Sequence, residues 1–352
     1  MNLYEFQNTG QVKSSDILHR MGRLDFLKKC LGFGVMSAFP GILASQTLRP
    51  PVSSFKSNAT AESVTKDMDL TGKSFLITGS NSGLGFEAAR VLARRGATVY
   101  AAARTAEKAE NTARNLSGDV RPAVCELTDF RSVIQCAESI QKEQKSLDAV
   151  LCNAGIMALP DLALVYGLEK QFVVNYLGHF LLVQKLLPLL NQSPDGRIVL
   201  VSSGLYNRAP EGGIEFDNLD GKKSYDPFTA YGQSKLAMIL FAREFSKQFS
   251  KSSVTANALY PGVIHTNLFH QMPWYQQLLI DLFGWAFIFN KTIEEGAATH
   301  CYLASHPSLK TVSGHLFYNC NPVNPEGAFF HDEKLGKELW DFSMEFISRV
   351  KI

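Results

Sequence analysis

From Ser74 onward, short apolar runs alternate with longer stretches whose apolar residues recur at helical spacing. The runs Ser74–Thr78, Thr98–Ala103, Arg121–Leu127, Asp148–Cys152, Arg197–Ser202, Val254–Leu259 and His315–Tyr318 predict strands. Between them, Gly83–Arg95, Glu107–Leu116, Arg131–Gln144, Phe172–Leu190, Phe228–Phe249 and Ile293–Ala304 predict helices, and Lys334–Arg349 ends the pattern as an amphipathic helix. Strands that are apolar along their whole length are buried on both faces, and strands separated by helices are reached by crossovers. The pattern therefore predicts an α/β chain with one doubly wound domain, a mainly parallel sheet flanked by helices on both faces.

Ahead of this pattern the chain changes character. Arg20, Arg23, Lys28 and Lys29 precede an uncharged run from Cys30 to Leu48, the arrangement of a targeting segment. Gly32, Gly34, Pro40 and Gly41 weaken that run as a spanning helix, and it is short for a bilayer. Arg23 to Lys28 resembles a twin-arginine signal in which Leu24 stands where the second arginine belongs. Residues 46–66 are rich in Ser, Thr, Pro and Lys and read as a linker. The expected organisation is a leader and linker over 1–66 and one folded domain over 67–352. The leader implies a targeted or membrane-associated protein; without that role the chain would be cytoplasmic.

The 352 residues are 45% hydrophobic and 19% charged, enough for one large core. A net charge of +2 gives no electrostatic case for nucleic-acid binding. Cys30, Cys125, Cys136, Cys152, Cys301 and Cys320 follow no zinc-like or CxxC spacing and read as reduced core residues. No metal site is expected.

Chemistry enters with the turn after the first strand. Thr78-Gly79-Ser80-Asn81-Ser82-Gly83-Leu84-Gly85 joins a strand to a helix with the spacing G-x-x-x-G-x-G. Amides at a helix N-terminus are unpaired and sit at the positive end of the helix dipole, and glycine lets a pyrophosphate approach them. Gly79, Ser82, Gly83, Leu84 and Gly85 are thus candidate dinucleotide contacts in a Rossmann-like fold. Arg104 closes the second strand, where an NAD enzyme carries an acid for the ribose 2′-hydroxyl; an arginine suits a 2′-phosphate. The expected cofactor is NADP(H) in preference to NAD(H).

Tyr231 and Lys235 lie four apart in the stretch Tyr231-Gly232-Gln233-Ser234-Lys235 and share a helix face. A free phenol titrates near ~10, too high for neutral acid/base work, and a neighbouring ammonium lowers it. Ser202-Ser203 ends a strand at the sheet edge where α/β sites form, and a hydroxyl there can hold a substrate oxygen. Asn175 is a polar residue within a long apolar helix, either satisfied in the core or a link towards a water and Lys235.

With these motifs in order, the chain resembles the short-chain dehydrogenase/reductase family over roughly residues 70–320. The resemblance rests on TGSNSGLG, CNAG at Cys152–Gly155, VNYLGHF, VSS, YGQSK and YPGVIHT at Tyr260–Thr266. It implies a catalytic tetrad of Asn175, Ser203, Tyr231 and Lys235, with Ser203 chosen over Ser202 by the family pattern. It implies that Asn153, Ala154 and Gly155 line the adenine-ribose side. Pro261, Gly262, Val263 and Thr266 would hold the nicotinamide. Glu126-Leu127 replaces the more usual Asp-hydrophobic pair near adenine. The insert Gly204 to Ala230, LGHFLL and Gly314-His315-Leu316-Phe317 look like retinol dehydrogenases. Light-dependent protochlorophyllide reductases share LGHF and the Tyr/Lys helix and form the alternative within the family. A non-catalytic NADP(H)-binding regulator is the alternative outside it.

Met272 to Phe289 carries Trp274, Tyr275, Phe283, Trp285, Phe287 and Phe289, where the family places its substrate lid. An apolar lid implies a small lipophilic substrate, a retinoid, steroid or isoprenoid, and allows contact with a membrane surface. His179 and His265 are expected to position or pack rather than transfer protons. The terminal helix is expected to cover core or to join a second copy in a homo-oligomer.

Overall fold

The computed structural model describes residues 50–264, 291–325, 327, 329 and 332–350. The leader, His265, Thr266 and the Met272–Phe289 segment lie outside the described residues.

The strands are β1 Ser74–Thr78, β2 Thr98–Ala103, β3 Asp119–Val124, β4 Ala149–Cys152, the short pair β5 Leu164–Val165 and β6 Leu168–Glu169, then β7 Arg197–Val201, β8 Thr255–Leu259, β9 Leu316–Tyr318 and β10 Asn321–Val323. Eight of them form one sheet in the order β10-β9-β8-β7-β4-β1-β2-β3. All its neighbours pair in parallel except β9 with β10. β1, β4, β7 and β8 are buried along their whole length, as their unbroken apolar runs require. β10 contains Pro322 and lies at the edge, where a missing N–H costs no ladder bond.

The helices are α1 Ala61–Val64, α2 Gly83–Arg94, α3 Ala106–Asn115, α4 Phe130–Glu143, α5 Lys170–Gln192, α6 Pro227–Gln248, α7 Ile293–Gly296, α8 Ala298–Ser305 and α9 Glu333–Arg349. They divide the apolar residues into two large clusters, one on each face of the sheet: α4, α5, α6 and α9 on one side, α1, α2 and α8 on the other. This is the doubly wound α/β architecture predicted from periodicity. α5 is long and apolar enough to cross a membrane by composition, yet 78% of that window is buried inside the domain. α9 covers α5 and α6: Trp340 meets Phe180 at 5.2 Å and Phe241 at 5.8 Å, and Tyr176 Oη and Ser343 Oγ are 2.7 Å apart.

Three local expectations change. The predicted strand Arg121–Leu127 stops at Val124 because Cys125–Asp129 turns into α4, with Asp129 capping that helix through the Arg131 amide. The predicted helix Ile293–Ala304 is two helices that meet at Ala297. The stretch 46–66, read as linker, is packed from Ser53 onward. Ser53 donates its amide to Asn321 Oδ1 at 2.8 Å, Phe55 meets Tyr302 edge to face, and Ala61 and Val64 are buried. Glu62 pairs with Arg90, Arg94 and Arg95 of the α2 region. Its Ser and Thr residues serve as caps and edge partners, which composition alone reads as flexibility.

Candidate active site

Successive strands run outward on opposite sides of β1 and β4, so the crevice beyond their carboxyl ends lies at the topological switch point. β1 delivers Thr78 there, β4 delivers Cys152 and the Asn153–Gly155 turn, and β7 delivers Ser202 and Ser203.

The turn after β1 is shaped by glycine. Gly79 adopts φ +65, and a Cβ on it would lie 2.9 Å from Ala154 Cα. A Cβ on Gly85 would lie 2.4 Å from the Gly79 carbonyl oxygen and 2.5 Å from Asn153 Nδ2, so no larger residue fits. Ser82 occupies the cap position of α2 without making a capping bond. Thr105, Asp129, Asp226 and Asp332, by contrast, cap their helices through their side chains. The first amides of α2 therefore keep their donors for a ligand, at the end of the helix that favours an anion. Arg104 is exposed one residue beyond β2 and has no ion-pair partner among the described residues.

The neighbouring turns are tied to this loop. Thr78 Oγ1 accepts the amides of Asn153 at 2.9 Å and Ala154 at 3.0 Å, and Asn153 Nδ2 donates to the Thr78 carbonyl at 2.8 Å. Glu126 is turned onto its own loop, accepting the Thr128 amide at 2.9 Å and hydroxyl at 2.8 Å, while Leu127 is buried. Gly262 follows β8 at φ +94 between Pro261 and the exposed Val263, and Ile264 bridges to Lys291.

α6 carries the candidate pair Tyr231 and Lys235. Asp226 caps it through the Thr229 amide at 2.7 Å, and Pro227 starts its first turn. The two follow on one buried face. The Ser203 side chain stands beside the Tyr231 hydroxyl and lowers it, but burial outweighs this and pushes the phenol up to about 12. Lys235 Nζ donates to the Val201 carbonyl at 3.0 Å and lies 5.7 Å from the Tyr231 ring centroid. Burial brings its ammonium down to about 8. The expected lowering of the Tyr231 phenol by Lys235 gives way to a rise from the burial of Tyr231 itself, and the ammonium is spent on the carbonyl at the end of β7. The two serines part company: Ser202 Oγ donates to the Lys235 carbonyl at 2.7 Å, and Ser203 is the one that acts on the Tyr231 phenol.

α5 supplies the remaining contacts through Gln171, Asn175 and His179, a polar stripe at every fourth position, all three fully buried. Asn175 lies in a π turn, Val173–Leu177. Its side chain accepts the Ile156 amide at 2.8 Å and donates to the Ile156 carbonyl and to Ser234 Oγ, each at 2.9 Å. Its contact with Lys235 is indirect: a Cβ on Gly155 would lie 3.1 Å from Asn175 Oδ1 and 3.3 Å from Lys235 Nζ, so the two face each other across that glycine. His179 Nδ1 is 2.9 Å from the Asn175 carbonyl, which can only accept, so Nδ1 carries the proton. Burial holds this imidazole down to about 4, leaving Nε2 to accept from Thr78 Oγ1 at 2.9 Å. Gln171 and Thr78 were not singled out from the sequence for these roles; the four-residue polar rhythm in an apolar helix was the available signal.

The family model for short chain dehydrogenases matches residues 73–274. The chain belongs to this family. Human retinol dehydrogenase 14 is 39% identical over 302 residues, 80% of this chain and 88% of that protein. The short-chain dehydrogenase TIC 32 B, chloroplastic, of Brassica napus is 37% identical over 85% of this chain and 96% of its own. Among solved structures, an uncharacterized protein from Mycobacterium paratuberculosis superposes with a TM-score of 0.64 at 30% identity, covering 81% of this chain and 97% of that one. As a short-chain dehydrogenase similar to retinol dehydrogenases, the chain is an oxidoreductase that takes a nicotinamide dinucleotide, NAD(H) or NADP(H). The crevice suits that group: the uncapped start of α2 can receive an anion, and glycines at 79 and 85 leave no side chain in the way.

Proposed function

We propose that the protein is an NADP(H)-dependent reductase or dehydrogenase that interconverts a lipophilic carbonyl and its alcohol. The grouping of buried Tyr231 with Ser203 and with Lys235, whose Nζ lies 5.7 Å from the Tyr231 ring centroid, carries this reading. The dinucleotide, when bound, supplies or receives the hydride. Gly79 and Ser82 to Gly85 would hold its phosphates, Arg104 a 2′-phosphate, Asn153 to Gly155 its ribose side, and Pro261 to Val263 its nicotinamide end. A phenol pushed up to about 12 is protonated at neutral pH, so Tyr231 is set to give its proton to a carbonyl oxygen. Ser203 holds that oxygen, and Lys235 contributes positive charge beside the developing oxyanion. Asn175 fixes Ile156 and Ser234 around the pair.

The lipophilic part of the proposal is supported by what touches Tyr231: Met157 and Ala158 are packed against it, with Leu205 and Phe228 half-buried at the margin. A substrate that offers its oxygen to Tyr231 meets apolar carbon next. We further propose that the leader directs the chain to a membrane surface, where such substrates partition. The test is NADPH oxidation, followed by absorbance in darkness, across lipophilic aldehydes and ketones and short polar ones. Turnover of the lipophilic set is expected; loss of NADPH with none of them refutes the reading, and a requirement for light favours a pigment reductase.

A further inference from the structure

Ala158 is a buried, non-glycine residue at φ 48, in the left-handed region that a Cβ disfavours. Such a conformation persists only where its surroundings impose it. The imposing group is Gln171. Its Oε1 accepts the Ala158 amide at 2.7 Å, and its Nε2 donates to the Pro227 carbonyl at 3.2 Å and towards Tyr225 Oη at 3.4 Å. The amide orientation is chemically fixed, since one neighbour can only donate and another can only accept. Tyr225 in turn donates to the Leu159 carbonyl at 2.7 Å. Pro227 is one turn before Tyr231 on α6, and Met157 and Ala158 are packed on Tyr231. One fully buried side chain therefore joins the strained Met157–Leu159 segment to the helix that carries the acid.

We propose that Gln171 is a specificity-positioning residue: it holds Ala158 in the left-handed conformation and thereby sets the Met157 wall against Tyr231, favouring carbonyl compounds with apolar substituents. This rests on the reductase reading for its kinetic test. Without the clamp, Ala158 relaxes towards ordinary backbone geometry and the wall leaves the phenol.

The experiment compares the full-length parent with Gln171→Leu, using decanal and glyceraldehyde with NADPH. The decanal-to-glyceraldehyde ratio of kcat/KM should fall about tenfold, the scale of a lost apolar contact in a pocket. NADPH affinity should stay within about twofold, because the clamp's partners Ala158, Tyr225 and Pro227 are not among the residues assigned to the dinucleotide. Adding Ala158→Gly, which tolerates the left-handed geometry unaided, should recover part of the ratio. An unchanged ratio in folded Gln171→Leu overturns the proposal, as does a ratio that falls only together with NADPH affinity. If Gln171→Leu does not fold, Tyr225→Phe, which removes the Leu159 leg and the long Gln171–Tyr225 contact but leaves the Ala158 and Pro227 bonds of Gln171, should move the ratio in the same direction by a smaller factor; no movement overturns it. Decanol binding to the NADP-loaded protein by calorimetry needs no turnover. There, weaker binding in the variant supports the clamp even if the parent reduces nothing, whereas equal binding refutes the clamp even if the reductase reading stands.

Discussion

On the β1–α2 side of the crevice, polar groups are left open: Ser82 does not cap its helix, and Arg104 projects from the end of β2 without an ion-pair partner among the described residues. On the α5 side the opposite holds. Gln171, Asn175 and His179 are fully buried, and each bridges segments distant in sequence: Gln171 the Met157–Leu159 segment, Asn175 the Tyr231–Lys235 helix, His179 the end of β1. A surface that binds a charged ligand must keep donors unspent. A surface that times a proton transfer must fix its atoms before the substrate arrives, and satisfied buried networks are rigid. The comparison makes a distinction in kind. Changes on the open side should alter affinity with little effect on stability, and changes on the closed side should alter stability or turnover with little effect on dinucleotide binding.

The largest expected effect tests the closed side at its reactive atom. Tyr231→Phe should lower kcat by about a thousandfold, the scale of a lost general acid, while leaving NADPH binding within about twofold. Parent-like reduction by this variant would remove Tyr231 from the chemistry. Thr78→Val comes next, because it deletes the acceptor of two amides and the donor to His179 without changing shape. Stranding these groups should cost about 3 kcal/mol in urea denaturation. A cost below about 1 kcal/mol would mean that the stripe is packing rather than a bridge.

Acid sensitivity sharpens the same contrast. His300 is fully buried, with Nε2 lacking a hydrogen-bond partner among the described residues, and burial holds its imidazole down to about 4 from the usual 6.5. A base whose folded value is depressed binds its proton only after unfolding. Its stabilising contribution is present above about 6.5 and is lost as pH falls towards about 4. His179 acts in the same sense and window, and the buried Glu169, whose carboxyl is raised by burial, acts in the opposite sense. His300→Leu isolates one group. Between pH 7 and pH 5 its stability should fall by about 2 kcal/mol less than the parent's. Parallel acid limbs would show that His300 is not neutral in the folded protein.

How much of this was legible in the sequence follows from the range of each interaction. β1–β4, β7–β9, the helices from α2 onward and the glycine turn are local patterns that periodicity places within a few residues, whereas α1 and the short strands β5, β6 and β10 carry too few residues to show a period. Tyr231 and Lys235 lie one helical turn apart, so their shared face is also local. Gln171 and Ala158, His179 and Thr78, and Ser53 and Asn321 are partners brought together only by the sheet order, and no local pattern pairs them. The π turn at Asn175 and the left-handed Ala158 are likewise imposed by tertiary contacts against the preference of the residues themselves. The stripe at 171, 175 and 179 was nonetheless written in the chain: three polar residues on one line of an apolar helix demand buried partners, whichever they are.

The smallest effect tests the open side. Arg104 stands beyond β2, in the position that meets the ribose of a dinucleotide in this fold. A guanidinium there gains charge-assisted bonds with a 2′-phosphate and nothing comparable with a 2′-hydroxyl. Arg104→Ala should therefore weaken NADPH binding about tenfold and leave NADH binding unchanged, narrowing the parent's preference rather than abolishing binding. Because the side chain is exposed, raising the salt concentration should shrink the parent's preference and have less effect on the variant's. Melting temperature should not move, since no partner within the described residues is lost. A parent that binds NADPH and NADH equally would reassign Arg104 to the solvent. A variant that loses stability along with affinity would erase the distinction between the open and closed sides at this position.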